Sequence, residues 1–289
     1  MPHRPYRSVL YIPGSNARAV EKAKTLPVDA IIFDLEDAVS IEEKANARGL
    51  LAEALSVGGY GNRALIVRIN GFDTEWGEDD LAAIASIGPE AVLLPKVSSA
   101  SDVEALAAKL DAVPAASGTT IWAMMETPLG MLNALEIAQS PRMAGMVMGT
   151  NDLAKDLGTL PRANREPMVT SLGLSLLAAR AAGITIVDGV YNAFKDEDGL
   201  RAECEQGRAM GFDGKTLIHP AQVAVTNAVF APTADEIDLA TRQIAAFDEA
   251  LAAGKGVAVV DGRIVENLHV ETARATLAKA EAIAALEAA

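Results

Sequence analysis

The chain has 289 residues, 50% of them hydrophobic, enough for one large domain with a full core or a domain with a small appendage. Its formal net charge of -14 repels a phosphate backbone, and 4% aromatic content offers few faces for stacking bases, so nucleic acid is not an expected partner. The single cysteine, Cys204, allows no internal disulfide, and His3, His219 and His269 lie too far apart for the spacing of a zinc site.

The start, residues 1–7, is polar, and the apolar run after it is too short for a signal peptide. No segment approaches the ~20 apolar residues of a membrane span. These features predict a soluble cytoplasmic protein without a membrane partner. Strands are predicted at 8–13, 30–35, 64–69, 91–95, 120–125, 145–148, 185–188 and 215–218. Between them, segments of helical period such as 42–55, 101–110 and 167–182 supply crossovers. Ala30-Ile31-Ile32-Phe33 is apolar on successive residues, as suits a strand covered on both faces of a parallel sheet. Gly183 and Gly211 stand where helices should stop. Cys204 falls in a helical stretch, 200–210, and reads as a reduced helix cysteine.

Eight strands with their crossovers fit an α/β (β/α)8 TIM barrel over residues 1–230. A doubly wound open sheet fits the same alternation, but no early Gly-x-Gly-x-x-Gly follows a strand, which weakens a dinucleotide-binding reading. Residues 231–289 break the pattern. A helix start at Thr233-Ala234-Asp235-Glu236 leads to an amphipathic run. Asp261-Gly262 then joins two short apolar runs as a hairpin, and a last Ala-rich helix begins near Glu271. This is a helix–hairpin–helix extension rather than a ninth unit, and such tails often cover a neighbouring subunit or a site.

In a barrel, the strand ends converge on one mouth, where ligands bind. Here they bring Tyr11, Asp34-Leu35-Glu36-Asp37, Arg68, Lys96, Glu126, Asp152, Asp188-Gly189 and His219. Glu126 and Asp152 each close an apolar run and are the pair for a hard divalent cation, most plausibly Mg2+; the competing role is capping of the helices that follow. Glu36 and Asp37 would orient metal-bound waters or serve as plain loop acids. Arg68, inside an apolar strand, is either a structural ion pair with an acid such as Glu36 or a fork for a substrate carboxylate or enolate. Arg18 and Lys22, four apart, would grip phosphates or form a solvated face. Lys96, crowded by acids, would stay protonated and act electrostatically. No Gly-x-Ser-x-Gly elbow and no P-loop is present.

Taken in order, Arg7-Ser8-Val9-Leu10-Tyr11-Ile12-Pro13-Gly14, Asp34-Leu35-Glu36-Asp37-Ala38-Val39, Val67-Arg68-Ile69-Asn70, Leu94-Pro95-Lys96-Val97, Met125-Glu126-Thr127-Pro128 and Gly211-Phe212-Asp213-Gly214-Lys215-Thr216-Leu217-Ile218-His219-Pro220 make the chain resemble the citrate lyase beta subunit-like family, which includes malyl-CoA and citramalyl-CoA lyases. The resemblance implies a (β/α)8 barrel, a homotrimer or homohexamer, that binds Mg2+ through positions matching Glu126 and Asp152. It implies that Arg68 holds a keto-acid carboxylate and polarises the thioester oxygen, that Tyr11, Arg18 and Lys22 contact coenzyme A, and that Asp188 and Gly189 line the acyl pocket. Relatives with lyase activity carry a catalytic aspartate in the C-terminal hairpin, reaching the adjacent subunit's site. Here the matching place holds Glu266, one methylene longer, with Asp261 nearby. The implied activity is reversible Claisen-type cleavage of a 3-hydroxyacyl-CoA to acetyl-CoA or a homologue and a 2-keto acid such as glyoxylate or pyruvate. In it, Glu266 would move the enolate proton. A thioesterase on the same metal site, a citrate lyase beta subunit working on an acyl carrier, and a CoA-binding scaffold without activity are the alternatives.

Overall fold

The computed structural model describes residues 4–288. These divide into two compact units, one spanning residues 6–227 and the other residues 228–288 together with residues 4 and 5. In the larger unit, eight parallel strands close a barrel in sequence order: β1 Ser8–Pro13, β2 Ala30–Asp34, β3 Ala64–Arg68, β4 Ala91–Leu94, β5 Thr120–Met125, β6 Met143–Met148, β7 Thr185–Asp188 and β8 Gly214–Leu217. Helices return the chain between strands, so both sheet faces are covered and the strands are apolar on both. The expected (β/α)8 fold is thus the fold observed, and the open-sheet alternative is set aside because β8 pairs with β1. Predicted strand ends differ by about a residue where ladders fray. The larger difference is β6, which begins at Met143 because Arg142 turns the chain at positive φ just before it.

Side chains two apart share a face of a strand. Val9, Ala30, Ile32, Ala64, Ile66, Ala91, Leu93, Trp122, Met124, Val147 and Val187 accordingly form one buried cluster. Trp122 is its largest member and pairs in register with Gly145 on β6. A Cβ at Gly145 would run into the indole, so that glycine is what lets the tryptophan fit. Arg7 and Asp29 are both buried, and the guanidinium donates to Asp29 at 2.8 Å and 3.0 Å.

The smaller unit has a helix, Ala234–Ala252, started by a reciprocal Thr233–Glu236 cap, then strands β9 Ala258–Val260 and β10 Arg263–Val265, then a helix Asn267–Glu287. Asp261 and Gly262 both have positive φ, the two-residue turn their sequence suggests. The last helix starts four residues earlier than expected, with Glu266 as its N-cap. Phe247, Ala258, Val260, Val265 and Val270 form this unit's own core. Among the described residues no helix is long and apolar enough to cross a membrane. Of the histidines considered above, His3 lies outside the described residues.

Candidate active site

The strand period that builds the barrel core also builds the site. Two residues beyond the apolar layer, the inward positions become polar or small: Val9 leads to Tyr11, Ile32 to Asp34, Ile66 to Arg68, Met124 to Glu126, Val147 to Gly149 and Val187 to Gly189. A cavity of about 280 Å³ opens over this layer, and Tyr11, Asp34, Asp37, Arg68, Glu126 and Asp152 are among its walls.

Arg68 is 7% exposed, and carboxylates surround its guanidinium. Asp34, its register partner on β2, takes Nε at 2.7 Å and Nη2 at 2.5 Å as a two-point fork. Nη1 lies 2.7 Å from Glu36 Oε2 and 3.3 Å from Asp37 Oδ2. The approach to Glu36 is a close ion pair whose angle leaves Oε2 without a hydrogen bond. The Tyr11 ring lies 5.0 Å from the Arg68 Cζ. Burial disfavours the arginine's charge, but Asp34, Tyr11 and Glu36 outweigh it and hold the pKa well above its ordinary value. For Glu36 burial wins over Arg68 and lifts the carboxyl to about 7. The loop after β2 is pinned from behind: Lys44 Nζ donates to the Leu35 and Glu36 carbonyls at 2.9 Å and 2.8 Å, and Asn70 Nδ2 donates to the Leu35 carbonyl at 2.8 Å.

Glu126 is 1% exposed, and its Oε1 accepts the Lys96 backbone N–H at 2.7 Å. That N–H is aimed by the left-handed φ of 53° at Lys96, an uncommon conformation for a residue with a side chain. Burial is the main cause that lifts Glu126 to about 7, against the Lys96 hydrogen bond. The other oxygen, Oε2, sits where a Cβ on Gly149 would fall, so glycine at the end of β6 opens a cradle for it. Asp152, half-buried, follows three residues later on the helix Thr150–Leu157.

Neither acid caps its helix. Thr127 accepts the Gly130 N–H at 2.9 Å, and the helix bearing Asp152 has Gly149 as N-cap with no side-chain bond. Two carboxylates, one of them buried and short of counter-charge, fit a hard cation. Among the described residues no three His, Cys, Asp or Glu side chains are grouped to hold a metal, so such an ion would complete its shell with water, as Mg2+ readily does. Lys96 Nζ is 3.5 Å from Glu36 Oε1; burial opposes its charge, but Glu36 and Glu126 outweigh that and keep the amine protonated, as its crowded setting suggests.

Other expected residues stand elsewhere. Arg18 and Lys22 are exposed on the short helix Ala17–Ala23 and are not among the cavity's walls. Asp188 and Gly189 are both buried and are not among the residues that line this cavity, whereas the next residue, Val190, is. The Asp188 carboxylate is turned away into an ion cluster. It accepts Arg165 Nη1 at 2.7 Å and 2.8 Å and lies 3.3 Å from Lys215 Nζ. Glu203 lies 2.6 Å from that same amine. Glu266 and Asp261 belong to the smaller unit; Glu266 is exposed and its N–H donates to His269 Nδ1 at 3.0 Å, while Asp261 pairs with Arg242 at 2.8 Å.

Sequence reasoning passed over Asp34 as the main partner of Arg68, although Ala30, Ile32 and Asp34 have the same two-residue step as Ala64, Ile66 and Arg68. Gly149, Asn151 and Asn192 were also missed as walls, and Arg165, in an irregular segment at positive φ, has no comparable signal.

The sequence matches the family described as HpcH/HpaI aldolase/citrate lyase over residues 7–220, and one described as C-C bond lyase of the TIM-barrel fold over residues 167–284. It is 66% identical, over 97% of its length and 96% of the relative's, to a (3S)-malyl-CoA thioesterase of Cereibacter sphaeroides. It is 38% identical, over 96% and 94% of the two chains, to the citrate lyase subunit beta of Escherichia coli. Among solved structures, the CitE protein of Mycobacterium tuberculosis in complex with magnesium, acetoacetate and coenzyme A superposes with a TM-score of 0.80 at 29% identity, covering 97% of this chain and 100% of that one. Barrel, sequence match and relatives agree: the chain belongs to the HpcH/HpaI aldolase/citrate lyase family.

Proposed function

We propose that the chain is a Mg2+-dependent enzyme of coenzyme A thioesters that acts on (3S)-malyl-CoA or a close homologue, with hydrolysis to free CoA and malate as its net reaction. The observation that carries the reading is the 66% identity, over nearly the full length, to malyl-CoA thioesterases, in a chain whose cavity is lined by Arg68, Glu126 and Asp152 among others. Bound by Glu126 and Asp152, Mg2+ would act as a Lewis acid toward the oxygens of the acid half. Arg68, held by Asp34, is assigned the thioester oxygen, on which negative charge grows when the carbonyl is attacked. In hydrolysis a water oxygen bonds to the thioester carbon, the C–S bond breaks, and a proton passes to the leaving thiolate. Arg18 and Lys22 are assigned the phosphates of the CoA arm, and Tyr11 the part of that arm nearest the cavity.

A second reading is reversible C–C cleavage to acetyl-CoA and a 2-keto acid, favoured by the citrate lyase relatives and by the family description. It shares the metal and Arg68 but needs a proton donor for the enolate, the role that the resemblance gives to a hairpin aspartate and that Glu266 would fill from a neighbouring subunit. The longer side chain at that place is a departure on the lyase half of the chemistry, which agrees with the thioesterase names. The test is to incubate the purified protein with (3S)-malyl-CoA and Mg2+ and to weigh the products by mass spectrometry. CoA and malate in equal amounts are expected. Acetyl-CoA with glyoxylate would move the assignment to the lyase, and an unconsumed thioester would sink both readings.

A further inference from the structure

A second cavity of about 350 Å³ adjoins the first. Thr150, Asn151, Val190 and Asn192 line both, and so form their common wall. In that wall two amides bond reciprocally: Asn192 Nδ2 donates to Asn151 Oδ1 at 2.8 Å, and Asn151 Nδ2 donates to Asn192 Oδ1 at 3.3 Å. This ties the segment after β6 to the segment after β7. Both side chains are exposed, and among the described residues neither has another hydrogen-bond partner than the other. Beyond them the second cavity is walled by Ala154, Leu160, Pro161, Pro167 and Met168, with Arg162, Arg165 and Glu203 as its charged members.

We propose that the Asn151–Asn192 pair sets which acid halves the site accepts, by separating the reaction cavity from a neighbouring open groove that would otherwise take an apolar substituent. The inference rests on the malyl-CoA reading of the site. Asn151 directly precedes Asp152, so an acid half held at Glu126 and Asp152 lies against this wall. The substituent facing the pair is the one on the hydroxyl-bearing carbon. With the amides closed, that carbon carries hydrogen or a small group. With them open, an alkyl chain enters the second cavity and lies along its apolar side at Ala154, Leu160 and Met168.

The experiment is Asn192→Ala, which removes one amide and leaves Asn151, next to the metal carboxylate, untouched. The kcat/KM for a malyl-CoA analogue bearing an isopropyl group on the hydroxyl carbon, divided by that for malyl-CoA, should rise roughly tenfold or more, the scale of a methylene in an apolar pocket. In parallel, with Mg2+ present, 2-isopropylmalate should raise the melting temperature of the variant more than malate does, and in the wild type it should not. Where alanine costs folding, Asn192→Ser also lacks the reach to Asn151 and serves instead. A folded variant with an unchanged ratio and no added protection by isopropylmalate would overturn the gate. If neither thioester turns over but isopropylmalate protects the variant alone, the gate stands and the assigned reaction fails.

Discussion

Two ion clusters, one buried and one at the open mouth, occupy this barrel, and they are built on opposite rules. Around Arg165, Lys215, Asp188 and Glu203, two cations meet two carboxylates, away from the cavity that holds Glu126. Burial acts to raise the Asp188 carboxyl, but Lys215, Arg165 and the Gly189 N–H outweigh it, and its pKa ends below the ordinary value. At the mouth, Asp34, Glu36, Asp37, Glu126 and Asp152 face Arg68, Lys96 and, behind the loop, Lys44, five acids to three cations. There burial wins, and Glu36 and Glu126 rise to about 7. A balanced cluster needs nothing further and reads as structural. An acid-rich one beside a cavity is short of positive charge, and a divalent cation would supply it.

The comparison breaks most visibly at the metal carboxylates. Glu126→Gln and Asp152→Asn should each abolish Mg2+ binding by calorimetry and lower turnover by about a thousandfold, the scale of losing a group that stabilises developing charge. Their urea midpoints should hold or rise, because each removes a carboxylate from a crowd. Full Mg2+-dependent turnover in either variant would remove the cation from the site. The mirror experiment is Asp188→Asn, which strands two buried cations with only Glu203 for compensation. It should cost about 3–5 kcal/mol in urea unfolding, as breaking a buried pair does. Material that still folds should keep its Mg2+ affinity. A midpoint unchanged by this substitution would mean that the closed cluster does not hold the fold.

What the sequence disclosed, and what it withheld, follows the same division. The barrel was legible because buried parallel strands are apolar on successive residues, and Ala30-Ile31-Ile32-Phe33 carries that signature openly. Glu126 and Asp152 were legible as places because a polar residue ends each apolar run, and Arg68 because a charge interrupts one. Asp34 was passed over although the two-residue period places it inside the barrel; adjacent acids made it look like one of a loop. Asp188 ends its strand in the same way, yet the period that turns Val187 and Gly189 inward turns its side chain out of the barrel, where Lys215, its register partner on β8, and Arg165 meet it. What no local pattern encodes is Arg165, brought to that outer face from a distant irregular segment by long-range packing. The Asn151–Asn192 bond is illegible for the same reason: 41 positions apart, the two residues meet only once β6 and β7 lie side by side.

The smallest signal is in the slope of stability with pH, where the two clusters act in opposite directions. Asp188 titrates below its ordinary value in the folded chain. Its contribution is therefore present above the unfolded carboxyl's ~3.9 and is lost as pH falls through the lower folded value. Glu36 titrates at about 7 when folded and near ~4.3 when unfolded. Between those limits the folded chain keeps a proton that the unfolded chain has released, so stability falls as pH rises through the window and levels off above it. Metal-free protein should thus show two slopes in urea unfolding, one rising out of the acid range and one falling toward neutrality. Glu36→Gln should make the second shallower, leaving the share that Glu126 contributes, and spare the first, while Asp188→Asn should weaken the first and spare the second. A Glu36→Gln protein that still lost stability between those two pH values as steeply as wild type would show that the acid-rich mouth does not hold its protons as its burial requires.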